Sequence, residues 1–453
     1  MTRPTDPDVD HLGRPRVVVT GLGAVSPIGV GVKEFTRGLR GGASGTRPLD
    51  WDERDRERVK SRVAAVVPGW DPTAVLPAAD VKRLPRLVPM ALAAALEAAR
   101  MARLPVGDDP RLDTSRRIGV VLGTGAGGID FTLDQARSAM DPERLNAPGL
   151  AGGLSLWTIT NATHGNLAGE LSIRLGARGP SLCVSTGCAS ASDAIGLAID
   201  RLRSPAPDAP GAMIVVGADA HVRWETIRGM ELLGVITTRP CATADDAART
   251  SRPFDASRDG FVLGEGAWAL VLERSSWARR REARVLAEAA GAAATCDAHH
   301  RVRPAPDMRE CARAVTHALD DAGLSPSDIT HVHYHGTATE LNDRLETAAV
   351  KLALGDEHAR RVVGTSVKSM IGHPQGACGA ASAVATIAAA NALHHAGDPF
   401  APPTINLDEP GEGCDLDYTP NEPRPLDPDA DWTALVNCLA FGAKNSAVVL
   451  RSA

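Results

Sequence analysis

Residues 178–192 read RGPSLCVSTGCASAS. Gly179-Pro180 makes a turn, and residues 181–185 form a short β-type run expected to be a buried strand. A tight corner then carries Gly187 and Cys188, and small residues open a helix through Leu197. Cys188 therefore stands where a strand meets a helix N-terminus. Unpaired N–H groups there favour a thiolate and can cradle an anion. Two readings compete at this point: a catalytic nucleophile, or a small buried apolar residue.

Outward from this corner the chain keeps one grammar of strand, turn and helix. Residues 17–26 (VVVTGLGAVS), 117–128 (RIGVVLGTGAGG), 213–220 (MIVVGADA) and 267–273 read as strands, the first two running into glycine turns. GLGAVSPIG lacks the spacing of a dinucleotide-binding loop and reads as a plain turn. Residues 88–104 form an amphipathic helix with Pro89 in its first turn. Asp219 and His221 sit at a strand end and take a turn role. A basic helical connector at 275–284 marks the boundary between two halves. Beyond it, 285–294, 329–334 and 362–367 are strands, 307–322, 342–354 and 377–393 are helices, and 432–451 closes as a hairpin. The repeat is architectural, without a fixed period. In such sheets, sites form beyond strand C-termini.

The chain has 453 residues, 43% of them hydrophobic and 3% aromatic, with 44 Gly and 32 Pro, which suits a tightly turned α/β protein with small residues at its packing contacts. A net charge of −6 gives no electrostatic footprint for nucleic acid. Eight scattered cysteines without a CxxC pair or secretory signal read as reduced thiols in the cytoplasm, with no metal site. The polar stretch 1–15 reads as a disordered tail. The Ala-rich run 377–393 reads as a core helix, so no membrane span is expected.

Three strand ends offer Cys188, His335 and His373, and Lys368 precedes the second histidine by five residues. Each histidine adjoins a glycine, His335-Gly336 and Gly372-His373, where backbone must approach something closely. A cysteine with distant histidines on an α/β scaffold points to covalent acyl chemistry. The pairs His299-His300 and His394-His395 read as loop or surface residues.

Five motifs in order, GPSLCVSTGCAS, SRPFDASRDGFVLGEGA, YHGTATELNDRLE, SVKSMIGHPQGACGA and LAFGAKN, carry a resemblance over nearly the whole chain. The chain resembles the elongating β-ketoacyl-acyl carrier protein synthases, most of all the ketosynthase subunit of bacterial type II polyketide synthases. The resemblance implies a thiolase-like fold: two pseudo-duplicated halves, 16–275 and 276–453, in a layered α-β-α-β-α arrangement. It implies Cys188 as the acyl-accepting nucleophile, and His335 and His373 as N–H donors to the enolate formed when a malonyl extender loses CO₂. Backbone N–H groups of Cys188 and Phe441 would form a second oxyanion hole. Thr337 and Thr339 would hold the pantetheine arm, with Met230 and Phe441 at the acyl pocket. Lys368 would orient and act through its charge, with Asp343 and Glu346 as partners. The implied partners are an acyl carrier protein and a second subunit, identical or a homologous chain-length subunit. No cofactor is implied beyond substrates carried on phosphopantetheine.

One departure stands out. The family's closing loop usually reads GFGGTN, whereas here residues 440–445 read AFGAKN. Two glycines have become alanine and a lysine stands where threonine is usual, which puts the gating role of Phe441 in question. Fatty acid elongation is the neighbouring enzymatic reading. A catalytically silent chain-length partner would lack the nucleophile, and a thiolase would place a second cysteine where 441–443 stands.

Overall fold

A computed structural model describes residues 6–107, 112–141, 154–393 and 398–453. Ten strands build its frame. The first five are β1 (Val17–Ser26), β2 (Ile118–Gly123), β3 (Ser181–Val184), β4 (Ala212–Asp219) and β5 (Gly266–Arg274). They lie in the order β1-β5-β4-β2-β3. The outer pairs β1/β5 and β5/β4 are antiparallel, while β4/β2 and β2/β3 are parallel.

The other five are β6 (Ala287–Cys296), β7 (His331–His333), β8 (Val363–Thr365), β9 (Thr433–Ala440) and β10 (Lys444–Arg451). Their order, β6-β10-β9-β7-β8, repeats the first set strand for strand and direction for direction. A short antiparallel contact, Val18 with Glu288 and Val19 with Ala287, joins the sets.

Helices repeat as well. α1 (Leu87–Met101), α2 (His164–Leu175) and α3 (Ser190–Arg203) occupy the same connections as α4 (Arg309–Ala322), α5 (Glu340–Leu354) and α6 (Cys378–Ala390). Period-two alternation on the strands gives each sheet two apolar faces. Ile118, Val120 and Leu122 of β2 pack with Ala94, Ala98, Leu167 and Leu171 of α1 and α2, while Val121 turns inward. Val449 of β10 packs outward with Val315 and Val350 of α4 and α5, while Val448 and Leu450 turn inward. Between the sheets lie α3 and α6, contributing Ile195, Ile199, Val384 and Ile387 to one shared core. At about 1.5–3 kcal/mol for each buried aliphatic side chain, these three interfaces are the main source of cohesion. The result is the layered α-β-α-β-α thiolase-like architecture.

The two central helices cross closely at Gly379. A Cβ on Gly379 would lie 2.1 Å from Ser192 Oγ and 2.7 Å from its backbone nitrogen. The glycines of β1 do similar work: a Cβ on Gly21 or Gly23 would fall 2.1 or 1.9 Å from the carbonyl oxygen of Ala98 or Ala94. They lie inside a ten-residue strand packed tight against α1, not in a turn after it.

Two further expectations are corrected. β3 is an edge strand with Ser181 exposed and its other residues half-buried, because parallel pairing with β2 covers only one side. Residues 6–15 are ordered: Asp10 accepts from the backbone of Leu12 and Arg14, and Arg14 bridges to Asp321 at 2.8 Å. Local polar composition hid this, since the partner is more than 300 positions away. Residues 1–5 and the pair His394-His395 lie outside the described residues. No helix among the described residues is long and apolar enough to cross a membrane. All eight cysteines are unbridged.

Candidate active site

After β3 the chain turns at Gly187, whose φ of +66° is open to glycine at little cost, and continues as a short helical turn carrying Cys188 into α3. After β7 it delivers His335. After β8 a short helix, Lys368–Ile371, and Gly372 at φ +65° deliver His373. The first corner belongs to one sheet and the other two to the second, yet they converge. Ligand-capable atoms of Cys188, His335 and His373 all lie within 4.8 Å of one another, and all three residues are buried. The two imidazoles stand edge to face, centroids 5.3 Å apart and planes at 86°.

Backbone contacts fix both histidines. His373 donates its N–H to the Val262 carbonyl (2.7 Å) and accepts at its own carbonyl from Gly264 N–H (3.0 Å), while its ring edges against Phe261. Glu346, buried on α5, accepts from His335 N–H (2.6 Å), Gly336 N–H (2.8 Å) and the Asn437 amide (2.7 Å). Burial pushes its carboxyl up to about 7 even so. Lys368 donates from Nζ to the His335 carbonyl oxygen at 2.5 Å.

The expected partnering of Lys368 is thereby revised. Asp343 turns away to accept from Phe254 and Thr337 N–H and pairs with Arg258 at 3.6 Å. Glu346 feels Lys368 only through its field. The lysine grips backbone because His335's carbonyl is the acceptor its length reaches.

Charge states follow from enclosure. Burial, then the Lys368 field, pushes the His335 and His373 imidazoles well below their ordinary range, so both are neutral near pH 7. Burial pushes the Cys188 thiol up to about 12, with Lys368 pulling the other way. This corrects the expectation of a thiolate held by the helix N-terminus: desolvation outweighs the end of α3, and the resting group is a thiol.

These groups line one wall of a cavity of about 480 Å³. Thr337 and Thr339, hydroxyls 3.0 Å apart, line it together with Arg258, Arg344, Phe441 and Lys444. Met230 is not brought there. It packs with Ile227, Ile236 and Phe261, while Leu233, the last residue of its helix, and Val235 just beyond it reach the cavity.

Phe441, Gly442 and Ala443 form the tight loop between β9 and β10, and a Cβ on Gly187 would sit 3.6 Å from the Phe441 carbonyl oxygen. Ala443 holds φ +60°, which costs an alanine roughly 1–2 kcal/mol. Ala443→Gly should release that strain, less about 0.4–1 kcal/mol of added unfolded-chain entropy. The expected result is a small rise in the urea midpoint; a fall would show that no strain is held there.

From sequence Asp219 reads as a turn residue, and Cys378 and Gln375 are not singled out there. Asp219 is a buried hub, accepting from Thr124 Oγ1 (2.6 Å) and the N–H groups of Gly125 (2.9 Å), Ala126 (3.0 Å) and Gly376 (2.7 Å). It ties the end of β4 to the segment after His373, which is more than a turn role. Cys378 Sγ lies 3.1 Å from the Cys188 carbonyl oxygen, 3.8 Å from Cys438 Sγ and 4.0 Å from His335 Nδ1. By spacing alone, His335, Cys378 and Cys438 could also gather a soft metal ion, as could Cys188 with the two histidines. Gln375, two residues after His373, lies against Cys188. The signal for it was its place inside the GHPQG motif.

Known proteins resemble the chain over most of its length. Residues 14–278 match the family model described as beta-ketoacyl synthase, N-terminal domain, and residues 286–408 match its C-terminal domain. A 3-oxoacyl-[acyl-carrier-protein] synthase 2 of Synechocystis sp. is 37% identical over 438 residues, 96% of this chain and 97% of that one. Among solved structures, a type II PKS ketosynthase bound to the hexaketide, in complex with its acyl-carrier protein, superposes with a TM-score of 0.84 at 30% identity. It covers 97% of this chain and 100% of that one. The ishigamide ketosynthase/chain length factor gives 0.81 at 32% identity, covering 97% and 100%.

Proposed function

Since the chain belongs to the beta-ketoacyl synthase family, and so is a condensing enzyme of acyl chain elongation, we propose that it extends a polyketide chain by decarboxylative condensation at Cys188, His335 and His373. The observation that carries the reading is the convergence of one thiol and two neutral imidazoles within 4.8 Å on the wall of a single cavity.

Cys188 takes the acyl group from a carrier thioester. A carbon–sulfur bond to the carrier breaks, one to Sγ forms, and the Sγ proton passes to the departing pantetheine sulfur. A thiol held up to about 12 makes that proton transfer part of the step and not a prior ionisation. A malonyl thioester then enters and loses CO₂, leaving an enolate. N–H groups of His335 and His373 meet its oxygen, each donor worth about 3 kcal/mol or more to the transition state. The enolate carbon attacks the acyl carbonyl, whose oxygen accepts from Cys188 and Phe441 N–H. Collapse expels Sγ as an anion, which takes a proton from solvent to restore the thiol. Lys368 holds the His335 carbonyl and adds positive charge behind the enolate. Thr337 and Thr339 suit the pantetheine amides. Nothing in this sequence of steps calls for a metal or nucleotide.

The acyl carrier protein is the partner this chemistry needs. A second subunit, identical or of chain-length type, fits the open edge of β3, which has a strand partner on one side only, and Leu156, Ile159 and Ile173 in the segment before it are exposed. The two halves, 16–275 and 276–453, would then act as one unit. The polyketide assignment draws support from the two solved ketosynthases described above and from Lys444, a charge in the cavity wall that suits an oxygenated chain better than an alkyl one. The Synechocystis relative favours a second reading, fatty acid elongation. Intact-mass measurement of Cys188 after incubation with carrier proteins bearing different chains separates them. Faster loading of short β-ketoacyl chains than of saturated medium chains is expected, and the reverse preference would move the enzyme to fatty acid elongation.

A further inference from the structure

The only hydrogen-bond partner that the described residues offer Cys188 Sγ is the amide oxygen of Gln375, 3.7 Å away. Gln375 is 7% exposed and lines the same cavity. Its other end is unspent: Nε2 is buried without a hydrogen-bond partner. A buried donor left unpaired is costly, and one beside a nucleophile has an evident use. The backbone holds the residue there against its own preference, at φ +46°. The next residue is pinned, since Gly376 N–H donates to Asp219 at 2.7 Å.

A carboxamide has an acceptor end and a donor end, exchanged by half a turn about its last side-chain bond. With Sγ protonated, the oxygen end accepts from the thiol. With Sγ anionic, the NH₂ end can donate to it. We propose that Gln375 is a catalytic residue, its amide turning over to hydrogen-bond Cys188 Sγ as the thiol loses its proton during acyl transfer and as Sγ departs after condensation. In loading, the proton passes from Sγ to the pantetheine sulfur; after condensation Sγ takes one from solvent in the cavity, and in both steps Gln375 supplies a dipole and exchanges nothing. The same turn would let a thiol so deeply enclosed react.

This inference rests on Cys188 as the acyl acceptor, and its test separates the two. The rate of Cys188 carboxamidomethylation by iodoacetamide is followed against pH, with peptide mass distinguishing Cys188 from the other seven thiols. Gln375→Asn tolerates the left-handed backbone and withdraws the amide by one methylene. Gln375→Glu keeps the length but offers only acceptors once ionised. Both variants should alkylate at least about tenfold more slowly at pH 7.5, the pH profile moving up by about one unit, with an unchanged thermal unfolding midpoint. A wild-type profile in Gln375→Asn, or a faster reaction in Gln375→Glu, overturns the inference. So does a slowing accompanied by a lowered unfolding midpoint in both, which would mark a structural residue. Failure of wild-type Cys188 to take an acyl group from any carrier thioester would instead sink the underlying reading.

Discussion

Cys188→Ala is expected to abolish condensation, by about 10⁴-fold or more, the scale on which removal of a covalent nucleophile acts. None of the other seven thiols lines the cavity. Cys378 and Cys438 lie in the same small cluster but are buried behind the cavity wall, and Cys183 sits on the β3 edge. The variant should fold normally, because Cys to Ala at a position 4% exposed removes one sulfur from a corner fixed by backbone. Product formation by chromatography and the acyl adduct by intact mass are the two readouts. An acyl adduct surviving on the protein, or a tenth of the condensation rate, would mean that the chain loads elsewhere.

Removing either imidazole should damage the other half of the reaction. His335→Ala and His373→Ala are each expected to slow malonyl decarboxylation by about 10²–10³-fold, the loss of one oxyanion donor. Loading of Cys188 should stay within a few-fold of wild type, because neither ring is its hydrogen-bond partner. The pH dependence carries a sign. Both imidazoles are depressed below the ordinary 6.5 by burial and by Lys368, so they remain neutral donors as the pH falls through 6.5. The decarboxylation rate should therefore be flat from about pH 6 to pH 8.5. An inflection near 6.5, or variants that lose loading but keep decarboxylation, would contradict the roles assigned.

What could be read in the residues beforehand was whatever is local in the chain. Cys188, His335 and His373 each follow a strand and adjoin a glycine, so type, element and neighbour stand together within a few positions. Their convergence was legible only through the family's motifs, because nothing in local spacing says that β3 and β7 end at the same place. The partner of Lys368 was missed for a different reason. Its acceptor is a backbone carbonyl, which every residue carries and no pattern marks. Solvation was equally hidden: the Cys188 thiol state is set by how many atoms surround it, and the helix behind it predicts the opposite direction. Arg14 found its order in Asp321, and Met230 faces a cluster fixed by where its helix stops. Both depend on the packed whole.

The crossing of α3 and α6 has one more consequence. Cys188 lies just before one helix and His373 five residues before the other, and these helices touch at Gly379 and Ser192, too closely to admit a Cβ on Gly379. The span between the corners that carry nucleophile and donor is thus a dimension of the frame, set by how closely two main chains approach. Such a gauge cannot adapt to its guests. Whatever travel the reaction needs, carrying an acyl carbonyl and then an enolate carbon to within bonding distance, falls to the flexible arms that bring them.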